Sequence, residues 1–279
     1  MSKINDPANQ EEMGFFDHID VLRWHILRSV IAVLVFGIVA FANKSFIFDF
    51  LIFGPTRSDF PTNRAFCWLG RELPFLSGLC MESLKYNFIN TDLSGQFMLH
   101  IQTSAIAGFV FAFPYIFWEF WRFIKPALHE RELKNANFIV FFTSILFLLG
   151  CLFGYFIIAP FSINFLYSYE AIAQAQNMIE VENYINTIVS MVIPTGIMFE
   201  LPMLVYFLTK FGVITPKFMK ESRKIAYVVI LFIIAVITPQ GDMFSLLLIS
   251  APIFTLYEIS INISSNVFKS IVREEEESF

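Results

Sequence analysis

Long apolar runs separated by polar turns set the pattern of this chain. Six can be read, at about 26–42, 97–118, 138–158, 188–208, 225–238 and 243–261. A run of about 20 apolar residues matches a helix crossing a hydrocarbon core about 30 Å thick. The expected fold is all-α: a polytopic membrane protein with six transmembrane helices in a single domain over 1–279. The last two helices are expected to be short. The fifth run has 14 residues, about 21 Å at about 1.5 Å each, so it needs a thinned bilayer or shielding by its neighbours.

Composition supports the membrane reading. Hydrophobic residues make up 56% and charged residues 15% of the chain, against about 25% charged in ordinary soluble domains. Mean hydropathy is +0.63. No basic run points to nucleic acid. The first 14 residues, MSKINDPANQEEMG, lack the apolar core and small-residue cleavage site of a secretory signal, so nothing is expected to be removed and the first span serves as its own signal.

The basic residues set the orientation. With the N-terminus inside, 14 of the 19 Lys and Arg face the cytoplasm, and the other five all lie between the first and second spans. The positive-inside bias then places both termini in the cytoplasm. The outer segments become a long one at 48–94 and a second at 160–187, whose acidic stretch SYEAIAQAQNMIEVENY reads as a short amphipathic surface helix. The charge run at 270–279 reads as a disordered cytoplasmic tail. Cys67 and Cys80 share the long outer segment, where an oxidising compartment permits a disulfide between them or leaves two free thiols. Cys151 lies within the third span and reads as a small packing residue.

One acid stands inside a span. Glu200 sits within IVSMVIPTGIMFELPMLVYFL between Pro194 and Pro202. A charge at the centre of a spanning helix costs about 2.5 to 3.5 kcal/mol, so such a residue marks a cavity or a polar partner. The alternative is a protonated Glu200 hydrogen-bonded to the carbonyls that the two prolines free.

Two further stretches carry charge at the cytoplasmic border. In DHIDVLRWHILRS, Asp17 and Asp20 fit a helix start, and Phe15, Ile19, Leu22 and Ile26 share a face. This predicts an amphipathic helix lying in the interface before it turns into the membrane, with Arg23, His25 and Arg28 at headgroup level. In FPYIFWEFWRFIKPALHERELKN, Glu130 and Glu132 alternate with Arg131 and Lys134. Those acids either complement the dipole of the next helix or receive arginine side chains from a partner peptide. In TPQGDMFS, Pro239 stops a helix and Asp242 can cap the next. No metal, nucleotide or catalytic motif is present, and the four histidines His18, His25, His100 and His129 show no ligand spacing. No cofactor and no enzymatic activity are expected.

These residues together resemble the TatC family, the multispanning core of the twin-arginine protein translocase, over nearly the whole chain. Four patterns carry the resemblance: HIDVLR, FPYIFWEFWRFIKPAL followed by Glu132, FELP at 199–202, and TPQGD before the last span. It implies a concave bundle in the bacterial inner membrane that receives folded precursors by their twin-arginine signal peptides. It also implies assembly with the single-span TatA and TatB, self-association in a receptor complex and transport driven by the proton gradient. The implied peptide-binding residues are His18, Asp20, Leu22, Arg23, Phe123, Pro126 and Glu132. Glu200, Asp242 and Pro55 are implied to shape the cavity and dock partners. The family pattern His-Leu-x-Glu-Leu-Arg places a glutamate where this chain has Val21; Asp20 stands one residue earlier, and Glu119 or Glu130 could supply the second anion. A proton-coupled small-solute transporter using Glu200 is the competing reading. It requires a second polar partner within the spans and repeat symmetry.

Overall fold

The computed structural model describes residues 15–57, 59–72, 87–124, 136–168, 178–237 and 243–277. Its first element is α1 (Phe15–Ala42). The interfacial helix and first span, expected to meet at a turn, are one continuous helix. Residues 15–36 hold neither proline nor glycine, so nothing interrupts the i to i−4 ladder there. After Asn43 the chain makes a π-helical turn, Phe46–Ile52, then a single 3-10 turn, Gly54–Thr56, and then α2 (Pro61–Glu72). Side chains satisfy the irregular backbone: Tyr155 donates to the Leu51 carbonyl at 2.6 Å, Tyr184 to the Ile52 carbonyl at 2.7 Å, and Asn63 to the Arg57 carbonyl at 2.8 Å. Irregular backbone at membrane depth is tolerated where it is buried in protein.

Next come β1 (Phe88–Ile89) and α3 (Gly95–Ile124), then α4 (Ala136–Phe153), a π-helical turn at Gly154–Ile158 and α5 (Ala159–Ser168). β2 (Ile179–Glu180) pairs in parallel with β1, Phe88 opposite Ile179. This two-residue ladder, absent from the all-α expectation, ties the two outer segments together. Val181 already begins α6 (Val181–Met198), so the last part of the stretch expected to form an amphipathic surface helix is a strand and the start of a span. The rest of that stretch, 169–177, lies outside the described residues.

The run at 188–208 is two helices, α6 and α7 (Leu201–Lys210), with a break at Phe199 and Glu200. Pro202 explains the break. It cannot donate to the Met198 carbonyl, and it sits in the first turn of the new helix, where a missing N–H costs nothing. Gly212, at φ 70°, turns the chain into α8 (Pro216–Glu221), capped by the Thr215 hydroxyl, which accepts from the Phe218 amide at 3.3 Å.

α9 (Arg223–Ile237) has 15 residues and is as short as its sequence predicts. α10 (Met243–Glu277) has 35, so the final helix is not short. It runs past Ile261 and, as far as Glu277, through the described part of the stretch expected to be a disordered tail. Apolar Ile263, Val267 and Ile271 recur at helical spacing after hydropathy fades, and this keeps a helix going.

Among the described residues, five helical stretches are long and apolar enough to cross a membrane: Ile19–Ala42, Gly95–Ile124, Ile139–Ser168, Val181–Lys210 and Leu246–Arg273. α9 is the sixth expected span and falls below that length. The core lies where α6 meets α4 and the π-helical turn Gly154–Ile158 and where α7 meets α10, around buried Ile158, Ile185, Met191, Val205, Ile253 and Ile261. α1 packs on α3, and most of its remaining surface, including Trp24, Leu34 and Ile38, is exposed, as lipid contact requires.

Candidate functional site

The C-terminal half of α3 presents chemistry on two sides. On one side Tyr115, Glu119 and Phe123 follow at four-residue spacing and so share a face. That face meets α1. Glu119, 1% exposed, binds His25 Nδ1 through Oε2 and accepts from the Tyr115 hydroxyl through Oε1 at 3.1 Å. Arg28 Nη1 stands 3.8 Å from Oε2, too far for a hydrogen bond. The Phe123 ring meets His25 edge-on, centroids 6.1 Å apart. A buried carboxylate persists when its oxygens are hydrogen-bonded and a cation stands by. Both conditions hold here.

On α1, Val21, His25 and Arg28 lie on one stripe by helical spacing. On that stripe Val21 stands in the turn before His25, and Asp17, a further turn back, has its side chain outside the described residues. Asp20 is rotated about 100° from Val21 and is exposed, as is Arg23, while Leu22 is half-buried. Neither Asp20 nor Arg23 forms an ion pair among the described residues. Of the expected peptide-binding residues, the structure brings Phe123 to the cluster. His18 lies on α1 with its side chain outside the described residues. Pro126, Glu130 and Glu132 also lie outside them.

The opposite side of α3 carries Trp121, which is 3% exposed and packs on Phe207 of α7 with ring centroids 5.1 Å apart. Glu200, at the break between α6 and α7, lines a cavity of about 260 Å³ with Phe117, Trp121, Met203 and Phe207. Glu200 Oε1 is buried without a hydrogen-bond partner, and so is Trp121 Nε1. Hydrogen bonding of Oε1 to proline-freed carbonyls, the alternative that the sequence leaves open, is thus not found. Pro55 is buried in the 3-10 turn of the outer segment and Asp242 lies outside the described residues. Cys67 is disulfide-bonded, Cys151 is a buried free thiol, and Cys80 lies outside the described residues. No group of three or more His, Cys, Asp or Glu able to hold a metal occurs among the described residues.

The His25–Glu119 pair is the element that a linear reading misses. His25 reads as a headgroup anchor and Glu119 as one of several spare acids. The available signal is the four-residue spacing Tyr115, Glu119, Phe123 on a helix otherwise aromatic and apolar.

The fold is that of a helical multi-pass membrane bundle with a buried acid at a helix break and a polar cluster between α1 and α3, and acids so placed mark a working site. The family model described as "Sec-independent protein translocase protein (TatC)" matches residues 17–252. The Sec-independent protein translocase protein TatC of Blattabacterium sp. subsp. Periplaneta americana (strain BPLAN) is 40% identical over 261 residues, 93% of this chain and 98% of the relative. TatCy of Bacillus subtilis (strain 168) is 30% identical over 258 residues, 92% of this chain and 91% of its own length. A crystal structure of the twin arginine translocase receptor TatC superposes with a TM-score of 0.68 at 30% identity, covering 90% of this chain and 99% of that one. The chain belongs to the TatC family: it is a multi-pass membrane component of a Sec-independent protein translocase, a transport subunit and not an enzyme.

Proposed function

We propose that this chain is the receptor core of a twin-arginine translocase. It binds the twin-arginine signal peptides of folded precursors at its cytoplasmic face and assembles with TatA and TatB in the bacterial inner membrane. It self-associates in the receptor complex, and the proton gradient drives export. Both termini lie in the cytoplasm, where the positive-inside bias puts them. The observation that carries the reading is the placement of a buried carboxylate and an aromatic face on α3, one to two turns before the FIKPAL-to-Glu132 stretch. Carboxylates beside aromatic rings suit guanidinium groups, which pair in two-point fashion and stack. Glu132 is the leading peptide-binding residue, with His18, Asp20, Leu22, Arg23, Phe123 and Pro126 around it. Glu200, Asp242 and Pro55 shape the cavity and dock partner spans.

The test is Glu132→Ala in the membrane-embedded protein, with binding of a twin-arginine precursor as the readout. Loss of about tenfold or more in affinity is expected for removal of a charged hydrogen-bonding partner. Undiminished binding removes Glu132 from the site. Against the competing transporter reading, the described residues lining the Glu200 cavity are apolar apart from the Trp121 indole, and the polar His25–Glu119 pair within the spans lies outside that lining.

A further inference from the structure

Glu119 has acceptor capacity to spare. An ionised carboxylate offers about four lone-pair sites, and hydrogen bonds from His25 and Tyr115 occupy two. The third neighbour, Arg28, neutralises charge without hydrogen bonding at 3.8 Å, and its side chain is 47% exposed. A half-exposed arginine held only by a long contact swings away at little cost. His25 and Phe123 flank the carboxylate, and the half-buried Phe123 ring provides a surface against which a guanidinium can stack. On α1, the stripe facing this point carries Val21 in the turn before His25. Asp20 is exposed and rotated away from it.

We propose that Glu119 is the second carboxylate of the peptide site, and that Arg28 is a resident placeholder displaced by an arginine of the incoming peptide. This rests on the receptor reading above. His25 and Tyr115 position the carboxylate, and Arg28 keeps it neutralised until the peptide arrives. Two-point pairing then favours arginine over lysine, because a planar guanidinium meets both carboxylate oxygens and an ammonium cannot.

The experiment uses the full chain in nanodiscs of phosphatidylethanolamine and phosphatidylglycerol. The probes are two synthetic peptides, each an apolar stretch preceded by a pair of arginines or a pair of lysines. Affinity is read by fluorescence anisotropy, and the thermal midpoint of each variant reports its folding. Glu119→Gln is expected to weaken diarginine binding about tenfold and to bring the two peptides to similar affinity. Arg28→Gln is expected to act oppositely, tightening diarginine binding about threefold because the competitor is gone. A role limited to holding α1 against α3 would not produce that tightening. Unchanged or weaker binding in Arg28→Gln overturns the placeholder, and unchanged binding in a folded Glu119→Gln overturns the carboxylate. If those two variants match wild type while Glu132→Ala loses binding, the inference falls and the receptor reading stands. If wild type itself does not prefer diarginine, both fall.

Discussion

Gly108 of α3 lies directly against Gly37 of α1. A Cβ built on Gly108 would stand 2.6 Å from the Gly37 nitrogen, 2.8 Å from its Cα and 2.7 Å from the Val33 carbonyl oxygen. All three are backbone atoms, so no side chain can rotate to make room. Close helix approach through small residues is how spanning helices gain packing without a hydrophobic driving force. The same contact sets the register that brings His25 to Glu119.

The relationship is asymmetric, and that gives a test. A Cβ on Gly37 would meet the Ser104 carbonyl oxygen at 3.5 Å, an ordinary contact. Gly108→Ala is therefore expected to cost about 1–3 kcal/mol through forced separation of the helices. Gly37→Ala should stay within about 0.5 kcal/mol of wild type, or gain slightly from alanine's better helix propensity. Thermal unfolding in detergent decides it. Equal losses in the two variants would show that α1 and α3 do not pack in this register.

A polar cluster fastens the short α9 to α10. The Tyr227 hydroxyl donates to Glu258 Oε1 at 2.6 Å, and Arg223 Nη2 pairs with Glu258 Oε2 at 2.9 Å. The ion pair is open to solvent, its side chains 44% and 39% exposed, and exposed pairs contribute about 0–1 kcal/mol. The tyrosine bond to a carboxylate is expected to contribute about 1.5–3 kcal/mol. Tyr227→Phe should thus destabilise more than Arg223→Gln in the same unfolding assay. The reverse order would contradict the arrangement.

How far could the sequence be read without coordinates? Hydropathy falls on each of the five described stretches long and apolar enough to span, because burying an apolar run in lipid needs no knowledge of its neighbours. It misjudges where helices end: α5 continues to Ser168 and α10 to Glu277, since helical spacing persists after mean hydropathy drops. The break at Glu200 is half legible, as Pro202 announces a restart but does not say that Oε1 is left without a partner. The His25–Glu119 bond joins residues 94 positions apart and depends on the glycine contact between α1 and α3. No local pattern encodes it. The π-helical turn at Phe46–Ile52 shares that opacity, because distant tyrosines satisfy its carbonyls.

The cysteines offer a chemical check. With Cys67 disulfide-bonded and Cys151 free, and Cys80 as the remaining cysteine, alkylation of the denatured, unreduced protein should label Cys151 alone. After reduction all three should be labelled, read by mass. Cys67→Ser is expected to cost about 2–4 kcal/mol if the bridge closes a loop in the outer segment. Label on Cys67 before reduction would refute the bridge.

Glu200 separates stability from function. Its Oε1 is buried with no hydrogen-bond partner, in a cavity whose other described walls are apolar apart from the Trp121 indole. An acid so placed within a span costs about 2.5–3.5 kcal/mol. Glutamine keeps the shape, cannot ionise and carries an amide that can donate. Glu200→Gln is therefore expected to be more stable than wild type, by about 2–4 °C in thermal midpoint for each kcal/mol recovered. If the acid serves docking of a polar group from a partner span or signal peptide, the same variant should export less, because residues kept at a cost to stability are characteristic of working sites. A lower midpoint would mean that the carboxylate makes stabilising contacts absent from this arrangement. A higher midpoint with undiminished export would remove Glu200 from the transport machinery and leave it as a buried acid that the bundle tolerates.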